Sequence, residues 1–352
     1  MSQTPKTAKK IHYTAEARCL VELARAAGLG DSPDAALEWN DHAVALIGTD
    51  DETPFLADVL RWQATVLLDR GQTSKAGALC TRSLELSTKL GYVRGRAHAL
   101  NDAASIALRR GDLVQSANLM SSALALADEC GETRLVGMLQ QNLGIVADIR
   151  GNPAAALAHY RVSLETFEST NDVQPLCCTL NNLGYLHLEE GRYDEANNAF
   201  ERALGIARAR GDLCSEGIIE ENRTELRFFL GQIDTALASL QRALTIAELR
   251  GDNIRRAAAL KLRGAHERMT GQPAAALQTL GHALTLSEMG EDARLGGEIL
   301  YQFGLAYHAL GDQLTAQTAW KAALEAFERI AARQWVGRIQ KQLTTGDSTR
   351  YL

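Results

Sequence analysis

The chain has 352 residues, of which 46% are hydrophobic and 23% charged, with a formal net charge of −6. That balance suits a buried core in one long array or two ordinary domains, and it excludes a dominant phosphate-neutralising face, so nucleic acid is not an expected partner. No apolar run approaches bilayer-spanning length, and no apolar core follows the basic start MSQTPKTAKK, so neither a membrane span nor a secretory signal is expected.

In chain order, residues 1–13 read as a flexible tail and residues 14–331 as a repeat array. A degenerate first unit keeps Ala36, Ala43 and Val44 in register and displaces its glycine by one, to Gly30. From there the period is exact: Gly71, Gly111, Gly151, Gly191, Gly231, Gly271 and Gly311 are spaced by 40 residues. A small residue follows each glycine after five positions, from Ala76 to Ala316, and a second small column begins at Ser83 and ends at Ala323. Leucine follows that column every time, from Leu84 to Leu324.

Apolar residues recur at three- and four-residue spacing on both sides of each glycine. Leu180, Leu183 and Leu186 precede Gly191, and Ala196, Phe200, Ala203 and Leu204 follow it. Each unit therefore predicts two helices joined at a glycine suited to a left-handed turn. A second break between units falls at Gly91, Gly131, Gly211 and Gly251, with Asn171 in the same place once; Asn is the next-best residue for that backbone. Pro33, Pro54, Pro153, Pro175 and Pro273 follow the breaks, in first turns where a missing N–H costs nothing. A large column, including Tyr160, Phe200 and Trp320, is expected to fill the space between helices. Residues 332–343 predict a capping helix and 344–352 a second flexible tail.

The stretch NLGYLHLEEGRYDEANNAFERAL resembles a tetratricopeptide repeat in its Leu-Gly pair, turn glycine, two small positions and aromatic residue. The usual unit is about 34 residues. The longer period here resembles the arrays of bacterial regulators and of eukaryotic spindle-orientation adaptors. The resemblance implies an all-α, right-handed superhelical solenoid of eight helix-turn-helix repeats plus a capping helix. It says little about the partner, because one solenoid hosts many functions.

Nothing in the sequence assembles a catalytic site. The glycines are spaced as turns rather than as a phosphate cradle, there is no H-E-x-x-H, and the eight histidines do not pair at ligand spacing. Cys19, Cys80, Cys130, Cys177, Cys178 and Cys214 lack C-x-x-C spacing and read as free thiols of a cytoplasmic protein. No catalytic residue, metal or cofactor is expected, and the chain reads as non-enzymatic.

One column of the first helices stands out. Asn142, Asn182 and Asn222 share one register in successive repeats, although Asn is a mediocre helix-interior residue. First helices line the concave surface of tetratricopeptide arrays, so the resemblance places these carboxamides in the groove. Each offers a donor and an acceptor, which suits clamping a peptide backbone; the alternative is that they bond between stacked helices and pin the register. One turn to either side lie Met138 and Ile145, Cys178 and Tyr185, and Ile218 and Glu225. The expected binding set is Asn142, Asn182, Asn222, Tyr185, Met138, Ile145 and Glu225. No cluster of Lys and Arg flanks it, which argues against a clamp for a C-terminal carboxylate.

Charge interrupts the packing columns one repeat later. Glu220 replaces a leucine, Arg223 and Arg263 stand where Leu143, Leu183 and Phe303 stand in other repeats, and Arg227 and Glu267 replace small or apolar residues in the next turn. These five read either as a self-satisfied ion network or as a hinge or anion layer. The function expected is an interaction scaffold or adaptor that takes a peptide or protein segment in its concave groove. The alternatives are a ligand- or signal-peptide-sensing module acting through a partner, and a structural subunit of a larger assembly. Partner identity, pathway and oligomeric state are not written in the sequence.

Overall fold

The computed structural model describes residues 15–24, 33–48, 52–70, 72–289 and 292–345. The expected terminal tails lie almost entirely outside these residues, as do Gly30 and Gly71. Among the described residues every regular element is a helix. A first helix, α1 (15–24), pairs in sequence with α2 (Pro33–Ile47). Seven further pairs follow: α3 (Pro54–Asp69) and α4 (Thr73–Lys89), α5 (Val93–Arg109) and α6 (Leu113–Glu129), α7 (Thr133–Ile149) and α8 (Pro153–Ser169), α9 (Val173–Glu189) and α10 (Tyr193–Arg210), α11 (Leu213–Phe229) and α12 (Ile233–Arg250), α13 (Asn253–Met269) and α14 (Pro273–Met289), and α15 (Ala293–Ala309) and α16 (Gln313–Arg329). A single helix, α17 (Arg333–Thr345), ends the described chain. The fold is an all-α helical-repeat solenoid.

Backbone geometry explains the exact period. Gly191 adopts φ +72°, and the chain closes behind it when the Arg192 N–H donates to the His187 carbonyl at 2.8 Å. Asn171 adopts φ +51°, the left-handed conformation its place among the inter-repeat glycines predicts. Ala331 does the same at φ +52°, without the side-chain chemistry that eases that conformation in Asn.

The small and large columns are two sides of one contact. A Cβ added to Gly184 would lie 2.6 Å from the Phe200 ring, and one added to Gly144 would lie 2.5 Å from Tyr160. The paired helices approach closely because one side chain is missing, and the aromatic ring of the second helix fills the gap.

The chain divides into two compact units, residues 1–106 with 118–135, and residues 107–117 with 136–352. In the first unit, Ala17, Val21, Ala43 and Val59 form one core cluster and Ala64, Leu67, Ala76, Cys80 and Ile106 another. Buried hydroxyl and thiol groups find backbone acceptors there: Ser83 donates to the Ala57 carbonyl at 2.7 Å and Cys80 to that of Ala99 at 3.2 Å.

In the second unit the core passes from repeat to repeat, through clusters around Tyr160, Phe200, Leu240 and Leu280 to one around Trp320 and Phe327. α17 completes that last cluster. Its Trp335 stacks on Phe327 with centroids 4.8 Å apart and meets Tyr301 edge-on at 5.7 Å. Ile149, at the end of α7, also packs against this cluster. At the turn after α5, a Cβ on Gly111 would fall 2.0 Å from the Ile330 side chain. The beginning and end of the second unit therefore touch, and its first helices curl around a shared interior.

Candidate functional site

That interior is a cavity of about 290 Å³ walled by α7, α9, α11, α13 and α15. Of the residues expected from sequence, Asn182 and Tyr185 reach it from α9, Asn222 and Glu225 from α11, and Ile145 from α7. Met138 and Asn142 are not among its lining residues and make other interactions. The Asn222 carboxamide donates through Nδ2 to Oδ1 of Asn181 at 2.9 Å, which links α11 to α9. Asn222 thus makes the expected bond between stacked helices, and its side chain also lines the cavity. Among the described residues, no hydrogen bond reaches the Asn182 carboxamide, which lines the same wall.

The other half of the wall is charged, and sequence reasoning missed most of it. Lys261 on α13 bonds Glu298 on α15 at 2.5 Å, and Arg294 reaches the other oxygen of Glu298 at 3.0 Å. Arg255 approaches Glu221 at 3.3 Å, leaving the second carboxylate oxygen of that buried side chain without a partner. Asp292 accepts from the Leu295 N–H at 2.9 Å and caps α15. These contacts account for all three bases on the wall and for three of its five carboxylates.

The remaining two carboxylates are Asp148 and Glu225. Among the described residues, neither has a hydrogen bond or an ion pair, and Asp148 is only 9% exposed. Burial, reinforced by the nearby Glu189 carboxylate, pushes the Asp148 pKa up to about 7 against the opposing pull of Arg294. Burial also raises Glu225 and Glu189, against the pull of Lys261 on the first and of Arg294 on the second. Glu221 is pushed to about 7, again chiefly by burial. Burial works against the charges of Lys261 and Glu298, but their mutual attraction outweighs it and holds both ionised. The wall therefore carries one closed ion-pair network and one group of carboxylates short of positive charge.

The five charges expected as a separate layer lie elsewhere, between first and second helices. Glu220 is 2% exposed and receives Arg223 at 3.1 Å, Arg208 at 2.8 Å and the Ser239 hydroxyl. Arg223 also bonds Glu201, and Arg227 donates to the Thr235 carbonyl at 3.0 Å and to Ser239. Arg263 and Glu267 form their own pair at 3.2 Å one repeat on, with Thr279 donating to Glu267 at 2.7 Å. The structure brings Glu220, Arg223 and Arg227 together and keeps the Arg263–Glu267 pair separate. Among the described residues, no three His, Cys, Asp or Glu side chains are placed to hold a metal ion, and no helix is long and apolar enough to cross a membrane.

Two family models, both described as tetratricopeptide repeat, match residues 95–169 and 179–210. No curated protein matches the chain. Among solved structures, a Rap protein complexed with Competence and Sporulation Factor aligns with TM-score 0.68 at 14% identity, covering 92% of this chain and 99% of the other. The Rap conjugation gene regulator of plasmid pLS20, in complex with the Phr* peptide, gives TM-score 0.66 at 13% identity over 93% and 97%. A signal-transduction ATPase with a tetratricopeptide repeat sensor from Pyrococcus horikoshii gives 0.59 at 14% identity over 98% of this chain and 53% of that one. At these identities the likeness is one of fold.

Proposed function

We propose that this chain, a member of the tetratricopeptide-repeat family built on a 40-residue unit, is a protein-interaction module that captures an extended peptide or protein segment in the cavity of its second unit. The observation that carries the reading is Asn182, a helical carboxamide on the cavity wall with no protein partner among the described residues. Beside it, Asn222 keeps its carbonyl oxygen and one amide proton after bonding Asn181. Together the two side chains offer donors and acceptors to a passing backbone whatever its side chains. Ile145, Ile218 and Leu262 on the same wall provide apolar ground between polar groups. Two of the solenoid neighbours named above are complexes, one with Competence and Sporulation Factor and one with the Phr* peptide, which supports this reading at the level of fold.

The test is a panned random-peptide library, followed by binding isotherms of the enriched peptides. Asn182→Ala with Asn222→Ala should weaken binding by roughly 10- to 100-fold, at about 0.5–1.5 kcal/mol for each bound amide. Asn182→Ala alone should leave the melting temperature unchanged. Unchanged affinity in the double variant would contradict the clamp.

A further inference from the structure

The charge inventory of the cavity does not balance. Five carboxylates and three bases line it, and the bases are engaged by Glu298 and Glu221 while Asp292 caps a helix. Asp148 and Glu225 remain, and the Glu189 carboxylate adds to the negative charge that acts on both. Asp148 is nine-tenths buried and aimed into the cavity without a hydrogen-bond partner among the described residues. A buried carboxylate with no partner is costly to keep. The contrast with Glu220, also buried but met by Arg223, Arg208 and Ser239, shows that this chain can neutralise such a group where the fold needs it.

The missing partner must be positive and must fit a polar recess with an aromatic wall. An anionic ligand would meet surplus negative charge. A bare metal ion would need ligands arranged around one point, which the described residues do not provide. A guanidinium or ammonium on a flexible stem meets both conditions. It can donate to several carboxylate oxygens, and its stem can lie against Tyr185.

We propose that the cavity recognises a positively charged side chain of the bound peptide, an Arg or Lys, seated between Asp148 and Glu225 beside Tyr185. This inference rests on the peptide-capture reading and specifies its ligand. Asn182 and Asn222 hold the backbone, and the unmatched carboxylates select the residue.

The full chain, immobilised at pH 8, separates the two ideas. It is offered three pools of capped hexapeptides of equal length, with one Arg, one Glu or neither in an otherwise neutral sequence, and capped arginine amide alone in a fourth arm. The Arg pool should be retained at least tenfold over the Glu pool. That preference should collapse on Asp148→Asn with Glu225→Gln, whose side chains keep the same shape. Attraction to the overall negative charge of the chain would survive that change almost intact, so a preference that persists overturns the site. Equal retention of the three pools overturns the charge selection and leaves peptide capture standing. Retention of none overturns both. Retention of arginine amide as strong as that of the Arg pool overturns the peptide as the source of the cation. If the double variant does not fold, Glu225→Gln alone, at a half-buried position, gives the same comparison with a smaller loss.

Discussion

Two groups of buried charge lie in the second unit, and they are built to opposite ends. Around Glu220 the carboxylate is met by two guanidinium groups and a hydroxyl, and every charge has a protein partner. Asp148, buried, and Glu225, half-buried, line one cavity without a partner among the described residues, while its bases are bonded elsewhere. Charge inside a helical array is therefore not itself the mark of a site. What distinguishes the second group is the remainder left when its pairs are counted, because an unmatched buried charge destabilises the empty protein and is relieved by a ligand.

The comparison is broken most severely by Arg223→Ala. Removing the guanidinium leaves Glu220 with only the half-exposed Arg208 and Ser239, and loss of one partner of a buried pair costs up to about 3–5 kcal/mol, readable as a lower denaturant midpoint. Replacing Glu220, Arg223 and Arg227 together by Leu should recover much of that loss. If both constructs lost equally little, the layer would not be the closed network described here.

Asp148→Asn should have the opposite sign. The folded-state pKa of Asp148, about 7, lies above the ordinary 3.8, so the folded chain binds this proton more tightly than the unfolded one. The stability contributed by the site is full below about pH 4 and is lost as pH rises through about 7. Glu189 and Glu190 from the α9 end act with burial to raise it, and Arg294 on α15 opposes them. The Asn variant removes this dependence. It should melt higher than the parent at pH 8, by at most about 4 kcal/mol in stability, and differ little near pH 4.

A smaller effect lies outside both groups. Ala331 holds φ +52° between α16 and α17, and glycine relieves that strain while loosening the unfolded chain. Ala331→Gly should gain about 0.5 kcal/mol net, seen as a slight rise in melting temperature. A loss would show that the Ala331 methyl group contributes packing that outweighs the strain.

The array was legible because its signals repeat. The seven glycines, the Asn171 substitution and the pairing of a small column with a large one each follow from local backbone or packing rules. Ala331 was not legible, because alanine carries no mark of a left-handed conformation.

The cavity was half legible. Asn182, Asn222, Tyr185 and Glu225 were found by comparing equivalent positions in successive repeats. The rest drifts across that register. Asp148 stands three residues before its turn glycine, Tyr185 and Glu225 six, Lys261 ten and Glu298 thirteen. Each shift is about one helical turn, so the residues converge only when the first helices curl around a common interior. A column read at fixed spacing cannot follow that drift, which explains why Asn142 and Met138 share the register without lining the cavity.

The most direct test measures one variant in two ways at pH 8. For Asp148→Asn, the melting temperature and the affinity for an enriched Arg-containing peptide are determined on the same sample. A ligand site left short of positive charge predicts a higher melting temperature together with at least tenfold weaker binding. A fall in both, or a higher melting temperature with unchanged affinity, would contradict it.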